Sequence, residues 1–273
     1  MSQSTNTLLI DNQNRLTTSM QNIIRGLRKL SNRLYPMSLS ELFAQLDEAT
    51  TPALLTRTVN SISDLLWKLP VKEQGMIRKN LVNTLSDHIL LATDAALRLE
   101  AASWLRLLLQ AGLVKQPEAV FVTLVTAAIQ VPIEQSDEEA LHEQKALLKS
   151  IFQCFWPFRF PYPAYSREVF PANQVFFPLA PLINHADYET QDMLMGIFAE
   201  LPALDDAEIL EYLLPIALQW SSHSDPERRR RIPNILARIH QAGTQDALQR
   251  LLTDTDPPVR ESAKSAASYA RSA

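Results

Sequence analysis

The fold is decided by residues 224–239, which read SDPERRRRIPNILARI. An Asp-Pro pair commonly begins a helix, because the Asp side chain accepts a backbone N–H and proline suits the first helical position. Apolar residues then recur at the spacing of one buried helix face, at Ile232, Ile235, Leu236 and Ile239. Successive helical residues point about 100° apart, so the arginines before them cannot share one face. We therefore predict one helix over residues 226–240 rather than a continuous basic patch.

The same pattern recurs along the chain. Relative to Asp225, an arginine falls at +4 and apolar residues fall at +7, +10, +11 and +14. Similar apolar offsets follow five further residues: Asp94, Asp187 and Asp256, and less completely Pro52 and Asp137. Each copy comes after another segment of helical periodicity, so the repeating unit is a helix, a short turn and a capped helix. One such hairpin cannot bury its apolar face, whereas stacked copies can. The sequence therefore predicts an all-α fold of about six stacked hairpins.

Residues 253–270, TDTDPPVRESAKSAASYA, resemble the second helix of a HEAT repeat, a family that typically carries Asp, Pro and a Val-Arg pair at this spacing. The resemblance is good over 205–270 and fair over 77–110 and 174–201. It implies a right-handed α-solenoid of the HEAT or armadillo type over residues 36–273. It also implies a ladder of paired charges between neighbouring repeats, with these members: Asp94 and Arg98, Asp225 and Arg229, and Asp256 and Arg260.

The arginine run has two interpretations under this resemblance. Arg229 is a ladder residue, and its neighbours are solvated. Alternatively, Arg230, which points to solvent, and Arg231, which flanks the buried stripe, contact an acidic partner or a phosphate.

An insert over residues 152–182 lengthens one repeat. Ten of the twenty aromatic residues of the chain lie between Phe152 and Phe177, and six prolines between Pro157 and Pro181 exclude a continuous helix. The rings either fold back onto the repeats or form a binding surface, because aromatic residues are enriched at interface hot spots. On the second interpretation the candidate partner-binding residues are Trp156, Phe158, Arg159, Tyr162 and Tyr165, together with Arg230 and Arg231.

The N-terminal segment 15–35, RLTTSMQNIIRGLRKLSNRLY, predicts a basic amphipathic helix. Its apolar residues alternate steps of four and three, at Leu16, Met20, Ile23, Leu27, Leu30 and Leu34, and it contains no acidic residue. Three interpretations stay open: a helix that caps the open end of the repeats, a docking helix for an acidic partner, or a helix on a membrane surface. We expect residues 1–14 to be disordered.

The composition contains little that points to catalysis. The single Cys154 excludes an internal disulfide and a cysteine-built metal site, and it fits a reducing compartment. No two of the five histidines have metalloprotease spacing, and five glycines offer no phosphate-binding loop. There is no signal-peptide pattern and no run of 18 apolar residues, so we expect a cytoplasmic chain without a transmembrane segment. No catalytic residue, metal or cofactor is predicted.

Two hypotheses of function follow. The first is a non-catalytic scaffold or adaptor that binds another protein through the solenoid surface and the aromatic insert. The alternative is a nucleic-acid-binding protein similar to the HEAT-like DNA glycosylases. It would use a mildly basic concave face lined by the second helices, which carry 14 basic and 10 acidic residues against a net charge of −4 for the whole chain.

Overall fold

A computed structural model describes the greater part of the chain, namely residues 37–131, 137–155, 172–184, 187–201, 204, 206–239, 241 and 243–270. Every regular element in these ranges is a helix and none is a strand, which confirms the all-α prediction. None of the helices described there combines the length and the apolar character that a membrane crossing requires. The segments predicted as residues 1–14 and 15–35 lie outside the described residues.

The chain divides into two compact units, Met1–Thr84 and Leu85–Ala273. The first contains α1 (Leu39–Asp47), α2 (Pro52–Leu66) and most of α3 (Val71–Leu91). A capping box begins α1: the Glu41 N–H donates to Ser38 Oγ, and the Ser38 N–H donates to the Glu41 carboxylate. Helices α1 and α2 pack together, and Thr58 Oγ1 donates to Gln45 Oε1 at 3.3 Å between them.

The second unit holds the remaining helices. They are α4 (Ala95–Gln110), α5 (Pro117–Gln130), α6 (Glu138–Phe155), α7 (Ala172–Leu179), the 3-10 helix η1 (Ala180–Asn184), α8 (Tyr188–Glu200), α9 (Ala207–Ser221), α10 (Pro226–Arg231), α11 (Pro233–Leu236), α12 (Thr244–Leu252) and α13 (Pro257–Ala270). Two rows are defined by their contacts. In the first row α5, α7, α9 and α12 pack in that order. The second row is built in the same way, with each helix packed against the next. Its order is α4, α6, α8, the α10–α11 pair and α13.

Second-row helices begin where the repeat pattern predicts. In each case an Asp side chain accepts a backbone N–H two or three residues further on, at 2.7–3.1 Å. The five capping residues are Asp94, Asp137, Asp187, Asp225 and Asp256. Local capping therefore fixes where each of these helices begins, and with it the positions along the helix of the apolar residues that follow each Asp. The stripe of the deciding stretch, Ile232 to Ile239, is indeed buried.

One sequence prediction differs from the structure. Residues 226–240 do not form one helix: α10 ends at Arg231 and α11 begins at Pro233, because proline has no N–H to continue the ladder of hydrogen bonds. Of the insert at 152–182, the structure describes residues 152–155 and 172–182, and both stretches are helical. The first stretch completes α6, and the second lies in α7 and η1.

Candidate functional site

The sequence-predicted site residues fall into two groups. Trp156, Phe158, Arg159, Tyr162 and Tyr165 lie outside the described residues, so their role in binding stays a prediction. Arg230 and Arg231 lie at the end of α10, in the second row.

Arg231 forms a forked ion pair with Asp192 of α8, with Nε–Oδ1 at 2.5 Å and Nη2–Oδ2 at 2.6 Å. Burial by itself would lower the pKa of the guanidinium, but the hydrogen bond and charge of Asp192 outweigh it and the pKa is raised. Arg230 contacts Glu227 at 2.6 Å within its own helix, and its carbonyl accepts from Ser262 Oγ of α13. Both side chains keep more than a third of their surface in solvent, so they remain reachable by a partner.

The two preceding arginines are held more tightly. Arg229 forks onto Asp254 at 2.7 and 2.9 Å, which lowers the pKa of that carboxyl group, chiefly through the hydrogen bond. The guanidinium of Arg228 lies 4.9 Å from the ring centroid of Trp220 and 5.4 Å from that of Tyr188, and it donates to Gln191 at 2.8 Å. The four consecutive arginines therefore reach four different groups of the same chain, as their 100° spacing requires.

A ladder of charged pairs runs along the second row. Arg98 of α4 forks onto Glu143 of α6 at 2.5 and 2.6 Å. Lys145 of α6 contacts Asp187 at 3.1 Å and Glu189 at 2.8 Å, at the start of α8. The pairs of Arg231 with Asp192 and of Arg229 with Asp254 then join α8 to α10, and α10 to the turn before α13. Ion pairs thus connect α4, α6, α8 and α10 in succession, and α10 to the turn that precedes α13.

The partners in this ladder differ from those that the resemblance implied. The capping carboxylates of Asp94, Asp225 and Asp256 accept backbone N–H groups, while Arg98 and Arg229 pair with Glu143 and Asp254 instead. The arginine four residues after each of these Asp residues also donates to the carbonyl two residues before that Asp. The three bonds are Arg98 to Ala92 at 2.6 Å, Arg229 to His223 at 2.6 Å and Arg260 to Asp254 at 2.5 Å. The arginine four residues after the capping Asp therefore stabilises the turn that precedes its own helix.

Sequence reasoning missed an exposed apolar surface on the first row. Phe177 of α7 and Tyr212 of α9 each keep 38% of their surface in solvent. Both rings contact the buried ring of Phe176, with centroids at 5.3 and 5.8 Å, and Tyr212 Oη donates to the Ala180 carbonyl at 3.3 Å. Both exposed rings therefore rest on the same buried ring, Phe176.

Prolines and uncharged residues extend this surface along both helices. Pro181 follows Phe177 by one helical turn and Pro215 follows Tyr212 similarly, and both are exposed. We call the four residues the aromatic face. Glu208 and Glu211 are exposed beside it on α9, and no Lys or Arg lies among the exposed residues of α7, η1 or α9. Tyr212 lies off the apolar stripe of its helix, which is the one signal that could have singled it out.

The described residues bring no catalytic cluster together. Burial raises the pKa of the Cys154 thiol to about 12, so it stays protonated and is a poor nucleophile. Among the residues that the structure covers, no three His, Cys, Asp or Glu side chains are placed to hold a metal ion. The described residues therefore present a row of paired charges on the second-row helices and the aromatic face on the first-row helices.

Comparisons with known proteins bear on the fold. No family model matches the chain, and no curated protein matches it. Among solved structures it is similar to an engineered protein with 19% sequence identity and a TM-score of 0.52, over 85% of this chain and 96% of the other. A second engineered protein matches at 18% identity and a TM-score of 0.50, over 85% of this chain and 57% of the other. At these identities the similarity concerns the fold alone, and it agrees with an all-α arrangement.

Proposed function

We propose that the chain is a non-catalytic scaffold or adaptor, built as a right-handed solenoid of HEAT or armadillo type, that binds another protein. Its two rows of helices and its recurring Asp-capped unit support the repeat architecture. Stacked helical repeats present long continuous surfaces, and their common use is the recognition of partner proteins.

The aromatic face is the observation that carries this proposal. Large apolar side chains that stay exposed on a rigid base are typical of binding sites, because covering them with a partner removes apolar area from water without reordering the protein. The base is rigid because Phe176 also packs on Phe198 of α8, with ring centroids 4.7 Å apart. Helix α7 begins directly after residues 156–171 of the insert, so the five candidate insert residues precede this surface in the chain.

The charged row favours a protein partner over nucleic acid. A nucleic-acid interface needs cations that are free to neutralise phosphates. In the second row Arg98, Lys145, Arg229 and Arg231 already face carboxylates of the same chain, so a phosphate would have to displace an internal partner. Binding to nucleic acid is therefore the second hypothesis, and the experiments below distinguish it from binding to a protein.

The test is affinity purification from the native host with nuclease treatment, using three versions of the chain. These are the unsubstituted chain, a Phe177→Ala, Tyr212→Ala double variant, and the control Leu107→Ala, which removes an apolar residue of similar exposure, 43%, from the second row. A partner protein that is retained by the control and lost by the double variant, with unchanged melting temperatures, supports the proposal. If all three retain the same proteins, the aromatic face is not the binding surface.

A direct measurement separates the alternative hypothesis. Binding of the purified chain to DNA or RNA oligonucleotides, with an affinity that falls steeply as salt is raised, would replace the scaffold proposal by a nucleic-acid function. The same titration with an Arg230→Gln, Arg231→Gln variant would then show whether the arginine run takes part.

A further inference from the structure

The first unit exposes a large apolar turn between α2 and α3. Trp67, the C-cap residue directly after α2, keeps 73% of its surface in solvent, and Val71, which begins α3, keeps 80%. Pro70 between them is also exposed. A tryptophan is one of the largest apolar side chains, and one left this far in water at a proline turn is typical of a contact surface.

This turn lies close to the point where the N-terminal segment joins the first unit. Four residues connect α1 to α2, so the two packed helices run in opposite directions. The hydrogen bond between Gln45 and Thr58 sets their register. Leu39 lies six residues before Gln45, and Asp64 lies six residues after Thr58. In two antiparallel helices these positions are therefore level with each other, and Asp64 is about one helical turn before Trp67. The beginning of α1 thus lies at the same end of the helix pair as the exposed Trp67.

The segment that precedes it has the matching chemistry. Residues 15–35 carry six apolar side chains at heptad spacing and no acidic residue, and only one residue separates this stretch from residue 37. An apolar seam of this kind needs an apolar partner in water. The nearest such surface along the chain is the turn of Trp67 and Val71.

We propose that residues 15–35 dock on the first unit of their own chain, with the apolar seam against Trp67 and Val71. The seam consists of Leu16, Met20, Ile23, Leu27, Leu30 and Leu34. Docking leaves the basic residues on the outer side of the segment, because they lie off the seam. The segment is thereby a cap of the first unit, and it covers a surface that would otherwise be available to a second copy or to another protein.

The experiment labels the full chain with 5-fluorotryptophan and records its fluorine spectrum in H2O and in D2O at low protein concentration. The four tryptophans give four signals, and a Trp67→Phe variant assigns that of Trp67. The difference in shift between the two solvents reports contact of each ring with water. We expect a small difference for Trp67 in the unsubstituted chain and a several-fold larger one in Leu27→Asp, which places a charge in the seam. The matched control Gln21→Asp adds the same charge off the seam and should behave like the unsubstituted chain.

Three outcomes overturn the proposal. The first is a full solvent effect at Trp67 in the unsubstituted chain, which by itself decides the matter even if Leu27→Asp fails to fold. The second is the same small effect in Leu27→Asp and Gln21→Asp while the other three tryptophan signals keep their folded positions. The third is a Trp67 signal whose protection from water increases with protein concentration, because a second copy would then supply the covering surface.

Discussion

Arg98 and Glu143 form a forked ion pair across 45 residues of sequence, and the Glu143 side chain is only 5% exposed. The pair raises the pKa of Arg98, chiefly through its hydrogen bond to Glu143. It joins the first two helices of the second row at a point where little water reaches the carboxylate.

We expect Arg98→Met to destabilise the chain by about 3 kcal/mol, because it leaves the Glu143 charge buried without its partner. Urea unfolding monitored by circular dichroism measures the loss. The matched control is Lys264→Met, which breaks a pair whose two side chains are 58% and 72% exposed, and which should leave the transition midpoint unchanged. Equal effects of the two substitutions would show that the burial of Glu143 does not matter.

The pair of Arg229 and Asp254 predicts how stability depends on pH. The hydrogen bond from Arg229 lowers the pKa of Asp254 in the folded chain, so the charged carboxylate contributes stability above the ordinary Asp pKa of about 3.9. That contribution is lost as pH falls through the lower folded-state pKa. We expect Asp254→Asn to be less stable than the unsubstituted chain at neutral pH, with a difference that narrows below about pH 4.

Urea unfolding at a series of pH values measures this difference. The control is Asp246→Asn on α12, an exposed side chain, whose curve should run parallel to that of the unsubstituted chain. A difference for Asp254→Asn that is constant down to strongly acidic pH would contradict the assigned role of its charge.

The alanines of α13 set a limit on side-chain size in the last helix. Ala263 and Ala266 are fully buried where α13 packs against α10, α11 and α12. Replacing Ala266 by Leu should overpack this contact and cost about 1–3 kcal/mol. Ser265→Leu adds the same side chain at an exposed neighbouring position and should leave stability unchanged. Thermal melts of the two variants decide the point, and a neutral Ala266→Leu would mean that α13 is loosely packed.

The aromatic insert has a prediction of its own. If it is a binding surface, a Tyr162→Ala, Tyr165→Ala double variant should keep its melting temperature and lose the partner, since truncating a hot-spot residue often costs about 2 kcal/mol or more of binding free energy. If the rings are structural, the variant should melt several degrees lower while its folded fraction still binds. Thermal melts and partner pull-down on one preparation distinguish the two results.

Local chemistry made part of the structure predictable from sequence. An Asp side chain that accepts the N–H two or three residues later caps the helix that begins directly after it. The beginnings of the second-row helices could therefore be predicted from the capping Asp residues, such as Asp94 and Asp256, without tertiary information. The break at Pro233 has an equally local cause, the missing N–H of proline. It was not predicted because the apolar residues keep their helical spacing on both sides of the break.

The ladder partners and the aromatic face could not be predicted in the same way. Glu143 lies six residues after its capping Asp, Asp192 lies five after its own and Asp254 lies two before, so no fixed offset identifies them. Whether Tyr212 is exposed depends on the packing of α9 against α7 rather than on its own sequence neighbours. Both features belong to contacts between repeats, where spacing along one helix carries no information.

The ladder has a consequence for how the second unit unfolds. Among the described residues, each charged rung of the ladder joins neighbours in the second row, and the rung of Arg229 and Asp254 joins α10 to the turn before α13, in addition to the packing of α13 against α10, α11 and α12. Cooperativity in such an array depends on coupling between neighbouring repeats. Weakening one charged pair therefore destabilises the helices that follow it in the row and leaves the preceding helices unaffected. Amide protons of α13 should then exchange with solvent well before those of α6, and Asp254→Asn should widen that gap while leaving α4 and α6 protected.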